Sequence, residues 1–459
     1  MSQDIKILSP CGMLGYGFPE ESFRRGMEQG VHAVVVDAGS TDGGPHKLGA
    51  GVSIVSRRAC KKDLEIILSA CLPKKVPVII GSAGGSGARP HVEWTLDIIE
   101  EILRERKMTA KLAVIWADFT QEAVLDALRR GNIVPMSPNI PQLTERTIHE
   151  TNSIVGQMGH EPVLKALEAG SDIIVCGRAY DPSPFAAVGI HHGKDPGLSY
   201  HLGKILECGA LCAEPATTKD SILGTIGDDH FTVQALNGCR ACTPISVAAH
   251  TFYEKDHPYL LHGPGFTLDL EHCRFTEPRP GVVRVSGSRF IPQDKTFIKL
   301  EGARLTAYRT FVIAGIRDPI LLQKLEEVEN AVIAQTKQYY PEIDERDYQI
   351  RFHNYGINAV LGEREFEPFR GHEAGVLFEV VAKTQELASS ICATVRSTFL
   401  HYGYEGRKST AGNLAFPFAP SDIEFGPVYE FSIYHLMECR ADGFPIEYRQ
   451  GGVRHGEAG

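Results

Sequence analysis

Five short apolar runs constrain this chain more than any other feature. They lie at residues 5–8, 33–37, 76–80, 112–116 and 172–176, and helical patterns separate them. The runs are continuous, as in Ala33-Val34-Val35-Val36, and do not alternate apolar with polar residues. A strand hidden on both faces reads this way, whereas a strand with one wet face alternates. Strand and helix in turn, at this spacing, predict an α/β fold: a doubly wound, mostly parallel sheet in the N-terminal half. In such a sheet the ligand crevice opens beyond the carboxyl ends of the strands. The loops that follow the runs are therefore where chemistry is expected.

The third run opens into Gly81-Ser82-Ala83-Gly84-Gly85-Ser86-Gly87-Ala88-Arg89-Pro90-His91. Strand, glycine loop and helix in this order let backbone N–H groups face an anion. The loop lacks the Gly-Lys-Ser/Thr of a phosphate-binding P-loop. It also lacks the glycine spacing and distant acidic residue of a dinucleotide site. It reads instead as one wall of a carboxylate or phosphate pocket, with Gly84, Gly85, Ser86, Gly87 and Arg89 as substrate-binding residues.

Its neighbours add acids and donors. After the second run, Asp37-Ala38-Gly39-Ser40-Thr41-Asp42 supplies a carboxylate and the hydroxyls of Ser40 and Thr41. After the fourth comes Asp118, and after the fifth Gly177-Arg178-Ala179-Tyr180-Asp181. Arg178 is expected to clamp a substrate carboxylate through its planar fork. Asp37, Asp118 and Asp181 are the candidate catalytic residues, as bases or as ligands of a divalent ion. No metal is assigned. Cys11 has no partner in the sequence to favour its thiolate. Cys239 and Cys242 form a C-x-x-C without the second pair that a zinc ribbon needs. Gly227-Asp228-Asp229-His230 is metal-like in composition but not in spacing. Gly406-Arg407-Lys408-Ser409-Thr410 is a second candidate anion loop.

The clean alternation stops near residue 215. A chain of 459 residues exceeds an ordinary single domain. The expected division is an α/β ligand-binding and catalytic domain at 1–220, with an α+β domain at 221–459 packed against it. The net charge of -10 gives no basic footprint for nucleic acid. No run approaches the roughly 18 apolar residues of a membrane span, and no leader pattern precedes the first strand. Eleven scattered cysteines, an odd number, fit a reducing compartment. The expectation is a cytoplasmic homo-oligomer that takes a small carboxylate, with neither nucleic acid nor membrane as partner.

Several stretches together resemble the acyclic terpene utilisation (AtuA-like) family, formerly a domain of unknown function. They are residues 9–17, the Asp37 loop, residues 81–87, Cys176-Gly177-Arg178-Ala179, and Ser409-Thr410-Ala411-Gly412-Asn413-Leu414-Ala415-Phe416-Pro417. The resemblance spans nearly the whole chain. It implies a part in the breakdown of citronellol- and geraniol-type terpenes and related branched acids through acyl-CoA intermediates. It carries over no catalytic residue. The expected activity is that of a lyase or hydratase acting on a small branched carboxylate or its CoA thioester. The cofactor is left unassigned, with a CoA thioester as one form of the substrate. The alternative is a non-catalytic ligand-binding or scaffold subunit that works with a small partner subunit.

Overall fold

The computed structural model describes residues 3–39, 41, 43–253, 256–408 and 410–452. Ser40, Asp42 and Ser409 lie outside the described residues.

Among the described residues the main sheet has ten strands: β1 (Ile5–Ser9), β2 (Ala33–Asp37), β3 (Val78–Gly81), β4 (Thr109–Ile115), β5 (Ile173–Cys176), β6 (Ile222–Ile226), β7 (Phe231–Ala235), β8 (Arg274–Arg279), β9 (Val282–Ser286) and β10 (Ile446–Gly452). Their order is β8-β9-β7-β6-β1-β2-β3-β5-β4-β10. The five central strands, β1-β2-β3-β5-β4, are parallel, as the continuous apolar runs predict. Antiparallel strands extend the sheet at both sides, β6 against β1 and β10 against β4.

Two-sided burial explains the composition of the central strands. Every residue of β2, β3 and β5 is buried. Val35, Ile79 and Ile174 point into one core, and Val34, Val36, Ile80 and Val175 into the other. Helices Arg57–Cys71 and Arg89–Glu105 supply Leu64, Ile67, Ile98 and Ile99 to the second core. Helices Ser183–His191 and Pro196–Leu206 supply Phe185, Leu202 and Ile205 to the first. Each such side chain contributes about 1.5–3 kcal/mol by leaving water. Local chemistry fixes the helix starts. The side chains of Ser56, Thr120 and Asp195 accept from backbone N–H groups three residues on. Helix Arg89–Glu105 begins earlier than its apolar pattern does, because Pro90 sits in the first turn, where a missing N–H is harmless.

The chain forms two compact units, and the division differs from the expected break at 220. One unit holds residues 1–304 and 431–459, the other Leu305–Glu430. The physical reason is β6. It pairs with β1 over five residues, so the chain beyond 220 continues the first sheet instead of starting a new one.

The second unit is α+β. Strand Tyr348–Tyr355 pairs antiparallel with Ala374–Ala382, which pairs with residues 308–316. Helices Leu325–Tyr339 and Gln385–His401 bring Val328, Val332, Ile391, Val395 and Phe399 against Phe378 and Val380. Among the described residues, no helix is long and apolar enough to cross a membrane.

Candidate functional site

Three strand-end loops of the first unit meet in close backbone contact, and glycine makes that approach feasible. A Cβ on Gly39 would lie 1.8 Å from the carbonyl oxygen of Gly85, and one on Gly87 2.2 Å from the amide nitrogen of Arg178. The glycine loop itself is buried from Gly81 to Ala88. Three of its amides bond within the protein. Ala83 N donates to Cys176 O, Gly85 N to Ser82 O, and Gly87 N to Ala83 O. The amides of Gly85 and Gly87, expected to face an anion, are thus engaged within the protein. What the loop contributes is proximity, since it seats the Asp37 loop against the Arg178 loop.

That packing brings together Asp37, Asp181 and Glu207, whose carboxylate oxygens lie within 4.8 Å of one another. Asp37 ends β2, Asp181 follows β5, and Glu207 caps the carboxyl end of helix Pro196–Leu206. Asp37 is 5% exposed and the Glu207 side chain 6%, but Asp181 is 35% exposed. The centre therefore opens to solvent through Asp181.

Cations hold the acids in place. Arg178, 3% exposed, donates from Nε to Glu301 Oε2 at 2.8 Å. Its Nη1 donates to Asp181 Oδ1 at 2.9 Å and to Ser82 Oγ at 3.0 Å. The expected clamp on a substrate carboxylate is thus turned inward, because buried Glu301 and half-buried Asp181 already take the guanidinium fork. Glu301 also accepts from Lys299 Nζ at 2.8 Å and from Thr41 Oγ1 at 3.1 Å. Burial alone would raise the Glu301 carboxyl, but Arg178 and Lys299 hold it down to about 2. On the other side, Lys204 Nζ lies 2.7 Å from Glu207 Oε1. Cys208 Sγ donates to Glu207 Oε2 at 2.8 Å, and Tyr253 Oη lies 2.9 Å from the same sulfur.

The protonation of the trio follows from this setting. Burial, reinforced by the charges of Asp181 and Glu207 and opposed by Arg178, pushes Asp37 well above the usual carboxylate range. Burial also raises Glu207, with Lys204 opposing and Asp181 adding repulsion. Carboxyl groups this close do not all ionise together, so the centre retains a proton under conditions that strip isolated acids. A site that can give and accept a proton follows directly. The same three residues would ligate a hard divalent ion through oxygen, although Arg178 and Lys204 already place positive charge beside them.

The remaining predicted residues fall elsewhere. Asp118 accepts from the amide of Arg89 at 2.8 Å and so caps the helix that Arg89 begins. Burial raises its carboxyl, with Arg89 opposing. The Arg89 guanidinium stacks 4.0 Å above Trp116. Thr41 serves Glu301, and Ser40 is outside the described residues. Gly84 packs on the backbone of His91, and Ser86 is buried. Cys11 is buried, which pushes its thiol up and away from nucleophilic character. Asp228 pairs with Lys194 at 2.9 Å. Sequence reasoning missed Glu207, Lys204, Cys208 and Glu301. Lys204 and Glu207 stand three apart, a spacing common to exposed helix pairs, and nothing local distinguishes them.

Comparison with curated proteins and with solved structures gives no match. The family model described as acyclic terpene utilisation family protein AtuA matches residues 57–420, and the chain belongs to that family.

Proposed function

We propose that the chain is a lyase or hydratase that moves a proton beside the carbonyl of a small branched carboxylic acid, free or as its CoA thioester. The observation that carries this reading is the Asp37–Asp181–Glu207 centre, in which burial and mutual repulsion raise two of the three acids. Elimination needs a base for the proton on carbon and an acid for the departing oxygen, on neighbouring groups. Asp181, the exposed member, is suited to the base. Asp37 or Glu207 supplies the acid: the leaving hydroxyl takes that proton and departs as water while the carbon–carbon double bond forms. Addition of water runs the same steps backwards. Lys204 and Arg178 offset the charge that accumulates as the proton moves. Membership of the terpene utilisation family supports the branched substrate class.

Hydrogen–deuterium exchange tests the reading without knowledge of the full reaction. The protein is incubated in D2O with isovaleryl-CoA, 3-methylcrotonyl-CoA and the two free acids, and deuterium beside the carbonyl is followed by NMR. Catalysed exchange is expected with at least one probe, and a loss of at least about 100-fold in Asp181→Asn. Exchange that survives in Asp181→Asn would remove the trio from the chemistry.

A further inference from the structure

Tyr180 stands one residue before Asp181, and its hydroxyl is buried with no hydrogen-bonding partner. The neighbouring Tyr200 hydroxyl differs. It meets His160 Nδ1 at 2.9 Å and Ser183 Oγ at 3.4 Å. The two rings share one aromatic wall, 6.4 Å apart, and Phe266 lies 6.2 Å from Tyr180 and 4.1 Å from Tyr200. The backbone of Tyr180 is held from both sides. Its N–H donates to Met158 O at 3.0 Å, and its carbonyl accepts from Ser183 N at 2.7 Å. A side chain fixed at its base and walled by rings has little freedom to seek another acceptor.

Burial raises the pKa of the Tyr180 hydroxyl well above the ordinary value, and the charges of Tyr200, Asp181 and Glu207 act in the same sense. Asp181 is the next residue of the chain, and the Tyr200 ring against which Tyr180 packs sits on the helix that ends at Glu207, so Tyr180 is tied to the elements that carry both acids, as a proton donor. Other donors at the centre are committed to carboxylates: Lys204 to Glu207, and Arg178 Nε and Nη1 to Glu301 and Asp181. Buried polar groups are otherwise nearly always paired, so an orphaned hydroxyl beside a solvent-opening acid needs an explanation.

We infer that the Tyr180 hydroxyl is the donor to the carbonyl or carboxylate oxygen of a ligand bound at the Asp181–Glu207 centre. The role in turnover rests on the proton-transfer reading above, whereas the binding contact does not. As a proton leaves the adjacent carbon, negative charge builds on that oxygen and the hydrogen bond strengthens. No covalent bond to Tyr180 forms, and its proton stays on oxygen.

Two measurements on the full chain test this. In the first, Tyr180→3-fluorotyrosine is read by 19F NMR while 3-methylcrotonate and 3-methylcrotonyl-CoA are titrated in, with Tyr200→3-fluorotyrosine as the control. The signal at position 180 is expected to move and that at 200 to stay. No movement at 180 with either probe overturns the assignment. In the second, Tyr180→Phe keeps the ring and removes one oxygen. It is expected to slow exchange about 100-fold with KM within about threefold, and to leave the pH profile set by Asp37 and Glu207 unchanged. A Tyr180→Phe protein that exchanges at the wild-type rate likewise overturns it. A 19F shift without exchange in the wild type would keep the contact and reject the proton-transfer reading, so the two failures are distinct.

Discussion

Glu301 and Asp37 are both buried acids, but their surroundings drive them in opposite directions, and the consequences can be measured. The Glu301 carboxyl is held below its ordinary 4.5, at about 2. It therefore contributes stability that is present above 4.5 and lost as the pH falls toward 2. Glu301→Gln leaves Arg178 and Lys299 without their shared partner and is expected to cost roughly 3–5 kcal/mol near neutrality. Urea unfolding of both proteins across that window should show the gap closing on acidification. Asp37 behaves oppositely. Its folded value is raised, so the native state gains from it below its ordinary 3.8 and loses as the pH climbs toward the folded value. Asp37→Asn removes the repulsion and is expected to stabilise the neutral protein. A lowered melting temperature would contradict that. At this scale the sequence was informative where an acid followed a strand, as with Asp37 and Asp181. It was silent on Glu207 and Glu301, which reach the centre through the close of a helix and through a strand more than 100 residues further on.

At the scale of elements, the glycine loop is the instructive case. Its sequence shows freedom of the backbone but not the direction of the amides, and an anion cradle and a close-packed turn have the same composition. The two roles predict different mutants. Gly87→Ala places a Cβ 2.2 Å from Arg178 N at a φ of +65°. It should cost several kcal/mol, well beyond the roughly 1 kcal/mol of Gly131→Ala, where a Cβ meets nothing within 4 Å. Thermal melts of the two variants make the comparison, and equal losses would speak against the packing role. The central strands, by contrast, were legible because burial on two faces is written directly into composition. The antiparallel strands beside them were not. Pairing such as that of β6 with β1 joins residues some 200 positions apart, and no local pattern encodes the partner.

At the scale of the whole molecule, the first unit is discontinuous in sequence. The chain leaves it after Arg304 and returns at Phe431, and β10 then lies beside β4 over seven residues. The end of the strand–helix alternation suggests a boundary near 220, but an excursion of this kind becomes visible only when the returning strand finds its partner. During synthesis β4 is made more than 300 residues before β10. Until the later strand leaves the ribosome, the main sheet carries an open flank of unpaired N–H and C=O groups, the surface on which nascent chains associate with one another. A nonsense mutation between Phe431 and Ile446 would thus release a chain that has every residue of the acid centre in hand and yet aggregates for want of one short strand.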